Sequence, residues 1–385
     1  MHRMKPRVLF CDSARVWGGI EHWMVTVVGA LAHRGWTTAL VARTGHELLR
    51  RATAAGLETH GWRFRFDFDP GTILPADRLM RRWRPDLLVV ALGRDIRTVG
   101  MAAHRQGVPM LWRMGMPYPN CGWAHRVTGK RLVRKVVVPS HELKGRLSPF
   151  PWLDGKVEVI PNGLPLTDPP DETRIAVARQ ALGWKRDQFV ILWVGRIKAI
   201  KGVDLLLRAF AGLVAKHPHA RIVLVGSGPD ENALRELSVQ LGIDARVRFA
   251  GYQSDPGPYY EGCDLFVCPS REEPFGWVLL EAMLRRKPVM AAAVGGIPEV
   301  AGDGAVRLFP KEDIGALRDI LEELISDEHK RDRLADAGLA RVRSTFTESL
   351  MMDRLEDCFT RTIDGSQMHH PRARSRRDTT RALVG

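Results

Sequence analysis

The chain has 385 residues, is 45% hydrophobic and 26% charged, and carries a formal net charge of +14. That length allows two domains with separate cores, and that composition excludes disordered and fibrous classes. No apolar run approaches the roughly 18 residues of a bilayer span, and "MHRMKPRVLFCDSA" is too short in its apolar part for a secretory signal.

In the first half, β-strands are expected at "RVLFCDS", "TTALVAR", "DLLVVAL", "PMLWRM", "KVVVPS" and "VEVIPNG". Helical patterns such as "IEHWMVTVVGALAHRG" and "DIRTVGMAAHRQG" lie between them, the alternation of an α/β fold. The proline- and acid-rich "LPLTDPPD" reads as a linker. A second series follows: "FVILWVGR", "ARIVLVGSG", "RVRFAGY", "DLFVCPS", "PVMAAAV" and "AVRLFP". Two tandem doubly wound parallel sheets result, with a ligand expected in a cleft facing both sets of strand ends. The expected domains are 1–165, 166–346, a C-terminal helix at 347–364 that crosses back to the first domain, and a basic, disordered tail at 365–385.

Charge is uneven along this plan. Residues 1–150 hold 25 Lys+Arg against 10 Asp+Glu, a net of +15, and the last sixteen residues add +4. The first half therefore calls for an anionic partner: membrane lipid, a phosphorylated acceptor or nucleic acid. The bland alternative is an arginine-rich composition that only solvates the surface. Cys11, Cys121, Cys263, Cys268 and Cys358 are odd in number and form no CxxC pair, which suits structural thiols in a reducing cytoplasm.

The most informative stretch is "REEPFGWVLLEAM", Arg271 to Met283. A buried strand precedes it, and Val278, Leu279, Ala282 and Met283 share a helical face from Phe275 on. Glu273 then sits in the strand-to-helix loop and Glu281 about 12 Å down the axis. Gly276 admits a ligand to the first turn, where free N–H groups favour an anion. A diphosphate with a sugar at each end fits, with one glutamate for each sugar's hydroxyls.

Other stretches add to this site. "GRIKAIKG" places Gly195, Arg196 and Lys201 after a strand, and two cations there suit a departing pyrophosphate. "GSGPDE" offers Gly226 and Gly228 for close backbone approach. "GGIPEV" is an anion nest or a tight turn. "VWGGIEH" puts Gly18 and Gly19 at the N-terminus of the first helix, where a phosphate or sugar can approach. Backbone near Gly251 and Tyr252 is expected to contact the base.

The succession "GGIE", "PNG", "GRIKAIKG", "GSGP" and "EEPFGWVLLEAM" resembles a glycosyltransferase of the GT-B fold, family 4 of the retaining enzymes (glycosyl transferases group 1). The likeness runs from about Arg7 to Thr360, and the E-x7-E at Glu273 and Glu281 is its most specific element. It implies that Glu281 binds ribose hydroxyls, that Glu273 lies near the donor sugar, and that the Phe275–Gly276–Trp277 backbone meets phosphate or sugar. It implies further that Arg196 and Lys201 clamp the diphosphate, and that Gly18 and Gly19 face the donor phosphate and acceptor. Arg196, Lys201 and Glu273 are the expected catalytic groups. Metal and cofactor are not expected.

Two departures from the family pattern stand out. Many members carry a histidine after the fifth strand, where this chain has Arg113 or Met114. Arg113 with Arg94 either binds an acidic group on donor or acceptor or forms an ion pair. Trp277 replaces a smaller aliphatic residue and can reshape the donor pocket. "DFD" at Asp67 to Asp69 imitates a metal-binding D-x-D but reads as a solvated loop, and His22 reads as part of a helix face.

The expected activity is retaining, metal-independent transfer from a nucleotide-diphosphate sugar to a hydroxyl acceptor, a saccharide or lipid-linked saccharide of lipopolysaccharide or cell-surface polysaccharide. The expected place is cytoplasmic, peripheral on an anionic membrane surface, with "RLMRRWR" and "HRVTGKRLVRK" as helical contact clusters. A nucleotide-sugar epimerase on the same fold is the first rival. A nucleic-acid binder lacks a reading helix or aromatic basic sheet, and an NAD-dependent dehydrogenase lacks G-x-G-x-x-G after the first strand.

Overall fold

A computed structural model describes residues 5–116 and 123–369. Two compact units divide the chain: Met1–Pro161 with Met351–Gly385, and Asn162–Leu350.

The first unit is built on seven parallel strands: β1 (Arg7–Asp12), β2 (Thr37–Arg43), β3 (Thr59–Trp62), β4 (Leu87–Val90), β5 (Met110–Arg113), β6 (Val133–Val138) and β7 (Val157–Val159). Their order is β3-β2-β1-β4-β5-β6-β7. The central strands are continuous apolar runs because helices cover both faces of a parallel sheet. β3, sequence "THGW", sits at the sheet edge and has no apolar run to announce it.

Two sequence readings change here. "HRVTGKRLVRK" is not one helix, since the helix Trp123–Leu132 stops where β6 begins at Val133. The β-branched Val133, Val136, Val137 and Val138 are buried in the sheet, and that burial overrides helical spacing. Asp69 is not in a solvated loop either. It is buried and caps the helix Pro70–Trp83, accepting from the Gly71 amide at 2.9 Å and the Thr72 hydroxyl at 2.8 Å.

The C-terminal helix, Glu348–His369, runs past the point where disorder was expected. Residues 370–385, most of the expected tail, lie outside the described residues, as does Cys121. The helix packs into the first unit through Leu355, Cys358 and Phe359, all fully buried. Phe359 lies 6.4 Å from the rings of both Phe10 and Trp36. Glu356 accepts from Arg34 at 3.0 Å and from the Trp36 indole at 3.0 Å. Burying a phenylalanine of this kind contributes about 1.5–3 kcal/mol.

The second unit has six parallel strands: β8 (Phe189–Val194), β9 (Ala220–Val225), β10 (Val247–Gly251), β11 (Leu265–Cys268), β12 (Val289–Ala292) and β13 (Arg307–Phe309). They lie in the order β10-β9-β8-β11-β12-β13. Each falls on one of the apolar runs read from the sequence. Strand order reverses between β8 and β11 in this sheet and between β1 and β4 in the first. Open parallel sheets take their ligands beyond the strand C-termini at such reversals. Among the described residues no helix is long and apolar enough to cross a membrane.

Candidate active site

The loops after β8 and β11 flank the reversal in the second sheet, and a short ion pair joins them. Lys201 Nζ lies 2.6 Å from Glu273 Oε2, with the glutamate side chain largely covered. Burial alone would lower the Lys201 ammonium, but Glu273 outweighs it, helped by Cys268 and Glu272, and the pKa is raised. Lys201 is therefore a fixed cation at neutral pH. Arg196 is exposed on the same loop.

Arg271 locks this loop. Its guanidinium binds both oxygens of Asp204 at 2.8 Å and the Ala199 carbonyl at 2.6 Å, while its amide donates to the Ile200 carbonyl at 2.8 Å.

The glycines explain how four loops converge. Gly226 has φ +134°, and a Cβ there would lie 1.8 Å from the Gly195 carbonyl oxygen. A Cβ on Gly228 would lie 1.9 Å from the Ile197 oxygen. Side chains are forbidden because the β8 and β9 loops are stitched together, Gly195 to Val225 at 2.9 Å and Ile197 to Ser227 at 3.0 Å. "GGIPEV" turns out to be a close approach as well: the Gly296 amide donates to the Glu273 carbonyl at 2.9 Å. These glycines hold Glu273 and the Lys201 loop in place. Gly251 (φ +69°) has open space where a Cβ would go, and Tyr252 beside it is exposed.

The helix carrying Glu281 spans Trp277–Leu284, with Gly276 at φ +96° as its N-cap and no side chain capping it. Helical rise therefore counts from Trp277 and not from Phe275, so Glu281 stands only just over one turn in. Phe275 is buried, 5.8 Å from the Phe346 ring, and fixes the loop before that cap.

Tyr260 donates its hydroxyl to Glu281 Oε2 at 2.7 Å. Burial raises the Glu281 pKa, with Tyr260, Arg285 and Trp277 pulling the other way. The Tyr260 hydroxyl is pushed well up by burial and by Glu281, so it remains a donor. Tyr260 escaped sequence reading because "PYYEGCD" has no motif, and only the fold brings it to Glu281.

In the first unit, Gly18 and Gly19 are exposed at the start of the helix Gly19–His33. A Cβ on Gly18 would come 3.2 Å from the Glu21 carboxylate. Arg113 is buried, donating to Met114 O at 2.9 Å and Val137 O at 3.3 Å over the Trp23 ring, and burial pushes it down to about 9. Arg94 instead faces Asp67, 3.7 Å away. His22 lies on the helix Gly19–His33 beside the Trp17 ring.

Cys11, Cys263, Cys268 and Cys358 are all buried, with thiols pushed up by that burial. Among the described residues no three His, Cys, Asp or Glu side chains group as a metal site would.

Known proteins resemble the chain along most of its length. Residues 175–341 match the model of glycosyl transferases group 1, and residues 17–168 that of Glycosyltransferase Family 4. The lipopolysaccharide core biosynthesis glycosyltransferase LpsE of Rhizobium meliloti is 29% identical over 343 residues, 87% of this chain and 94% of LpsE. A D-inositol 3-phosphate glycosyltransferase of Kribbella flavida is 34% identical over 223 residues, 54% of this chain and 51% of that protein. Among solved structures, Anabaena Alr3699/HepE in complex with UDP and glucose superposes with a TM-score of 0.80 at 22% identity, over 92% of this chain and 99% of that one. WaaG, a glycosyltransferase involved in lipopolysaccharide biosynthesis, gives 0.70 at 18%, over 92% and 99%. The fold is therefore GT-B, and the chain belongs to the family 4, group 1 glycosyltransferases.

Proposed function

We propose that this glycosyltransferase moves a sugar from a nucleotide-diphosphate sugar to a hydroxyl of a saccharide or lipid-linked acceptor, with retention at the anomeric carbon and without a metal. The observation that carries the donor assignment is the Lys201–Glu273 pair across the β8/β11 reversal, beside a helix N-terminus that no side chain caps. An ammonium has three donors, so Lys201 can keep Glu273 and still hold a phosphate oxygen. The positive end of that helix dipole adds to it.

In the proposed step the bond between the anomeric carbon and the leaving phosphate oxygen breaks. The acceptor oxygen bonds to that carbon from the same face, and its proton passes to the departing phosphate. Lys201 and Arg196 stabilise the charge that grows on the phosphate. Glu273 orients sugar hydroxyls and Glu281 binds the ribose. LpsE, named for lipopolysaccharide core biosynthesis, supports an acceptor in that class of glycan. The +15 first half supports work at an anionic membrane surface.

Calorimetric titration with UDP, ADP and GDP, then with their sugar conjugates, tests the donor reading. At least one should bind, in EDTA as well as in magnesium. Failure of every nucleoside diphosphate to bind would sink it. Proton NMR of the product decides retention from the anomeric coupling.

A further inference from the structure

The ligand end of the first sheet is lined with arginine. In sheet order, Arg63 and Arg65 follow β3, Arg43 closes β2, Arg15 follows β1 and Arg94 follows β4. Arg15 and Arg94 thus flank the reversal between β1 and β4, the place where such sheets bind ligands.

Arg43 is the buried member. It donates from Nε to Ser13 O at 3.1 Å and from Nη1 to Phe64 O at 2.7 Å, and its Nη2 has no hydrogen-bond partner. Burial, then the positive fields of Arg15 and Arg94, hold its pKa down, with Asp95 opposing.

The nearby carboxylates do not balance these charges. Asp95 uses its oxygens on the Ser13 and Leu92 amides at 3.2 and 2.9 Å. Asp12 accepts from Ala14, and burial favours its neutral form and that of Glu21. Asp67 is engaged by Arg97 at 2.8 Å and stands 3.7 Å from Arg94 Nε, which also lacks a hydrogen-bond partner. A buried guanidinium N–H left without an acceptor is costly and calls for an explanation. An oxyanion supplies both the acceptor and the missing charge.

The residue type points the same way. From Pro6 to Gly129 the chain has 17 arginines and no lysine. Attraction to a membrane surface is served by either residue, whereas the planar fork of arginine matches a phosphate or carboxylate in two-point contact.

We infer that the strand ends of the first sheet bind a phosphate or carboxylate carried by the acceptor saccharide, with Arg94, Arg15 and Arg43 as its ligands. This rests on the glycosyl transfer proposed above and names the acceptor's chemical class.

The test uses the full chain saturated with UDP and titrates mannose 6-phosphate against mannose at low salt. The phosphorylated sugar should bind at least about tenfold more tightly, since charge-assisted contacts are lost without the phosphate. Arg94→Gln should remove that preference while UDP affinity holds. Arg15→Gln should reduce it, and either of these two variants decides the matter if Arg43→Lys fails to fold.

A parallel arm separates a free from a lipid-borne phosphate, using phosphatidylcholine vesicles that carry monophosphoryl lipid A or phosphatidylglycerol. Binding to the glycolipid alone, lost in Arg94→Gln, supports the inference with a lipid-borne acceptor. Equal binding to both vesicles, unchanged by Arg94→Gln, overturns it in favour of a general surface charge. No phosphate preference in either arm also overturns it. Failure to bind any nucleoside diphosphate strikes the donor reading instead, and the sugar titrations run without nucleotide still score the arginines.

Discussion

At the ligand end of the second sheet, backbone does most of the positioning. Gly226, Gly228 and Gly296 bring one loop against another where a Cβ would collide with a carbonyl, and the closest charged contact is Lys201 with Glu273. At the ligand end of the first sheet, side chains do the positioning. Arg43 ties β2 to the loops after β1 and β3, and Asp95 ties β4 to the loop after β1. Backbone-built loops tolerate little change, which suits the diphosphate site proposed there. Loops held by long side chains can be rebuilt residue by residue, which suits acceptors that differ from one enzyme to the next.

The sharpest way to break this comparison is to remove the cations of the second sheet. Arg196→Ala combined with Lys201→Ala should lower kcat by roughly a thousandfold, about 4 kcal/mol on the barrier, because both act on charge that develops in the transition state. Circular dichroism should show the fold intact. Near-normal turnover in the double variant would move the diphosphate elsewhere.

Next in size is the backbone itself. Gly226→Ala places a methyl 1.8 Å from the Gly195 oxygen and asks an L-residue to hold φ +134°. The loops must part or the unit must lose stability, by about 3 kcal/mol or more. A thermal melt checks it. A variant that melts like wild type but no longer binds nucleotide would show that the glycine serves the ligand rather than the packing.

Smaller again is the loss of the Tyr260 hydroxyl. Tyr260→Phe removes the 2.7 Å hydrogen bond to Glu281 and one of the influences that lower its pKa. Nucleoside diphosphate affinity should fall by about 1 kcal/mol, less than the full worth of a hydrogen bond to a charged group because this bond exists with and without ligand. Because the unassisted carboxyl protonates more easily, the deficit should grow as pH falls. A pH-independent deficit would make Tyr260 a packing residue only.

What could be read from the sequence follows the same division. The strands of the second sheet were legible because parallel strands buried on both faces are unbroken apolar runs. The placement of Glu273 in a loop and Glu281 on the next helix was legible because the two follow in the chain, but the helix start was not, and Glu281 stands nearer to it than expected. β3 was not, since "THGW" at a sheet edge carries no pattern. Tyr260 was not, because its partner is 21 residues away and only packing joins them. The glycines of "GSGPDE" were visible, but their reason was not: the atoms that forbid a Cβ belong to a loop some thirty residues earlier. Arg43 closes β2 and Arg94 follows β4, and their nearness depends on a sheet order that no local motif records.

The smallest expected effect concerns the buried carboxylates under the first sheet's ligand end. Burial raises Asp95 to about 6, and Asp12 and Glu21 are raised with it. An unfolded aspartate titrates near 3.9, so between about pH 4 and pH 6 the folded chain holds protons that the unfolded chain has released. Stability from this source is complete below the unfolded value and is lost as pH rises through about 6. The melting temperature of the full chain should therefore carry a falling component across that window. Asp95→Asn cannot ionise and should flatten it, by on the order of 1 kcal/mol, because the three carboxylates share the protons and one substitution removes only part of the coupling. The variant should also be less stable at every pH, since asparagine has one oxygen for the two amides that Asp95 now accepts. The change of slope is therefore the reading that counts. A slope equal to that of the wild type would place the proton on Asp12 or Glu21 and leave Asp95 as a charged tie between β4 and the loop after β1.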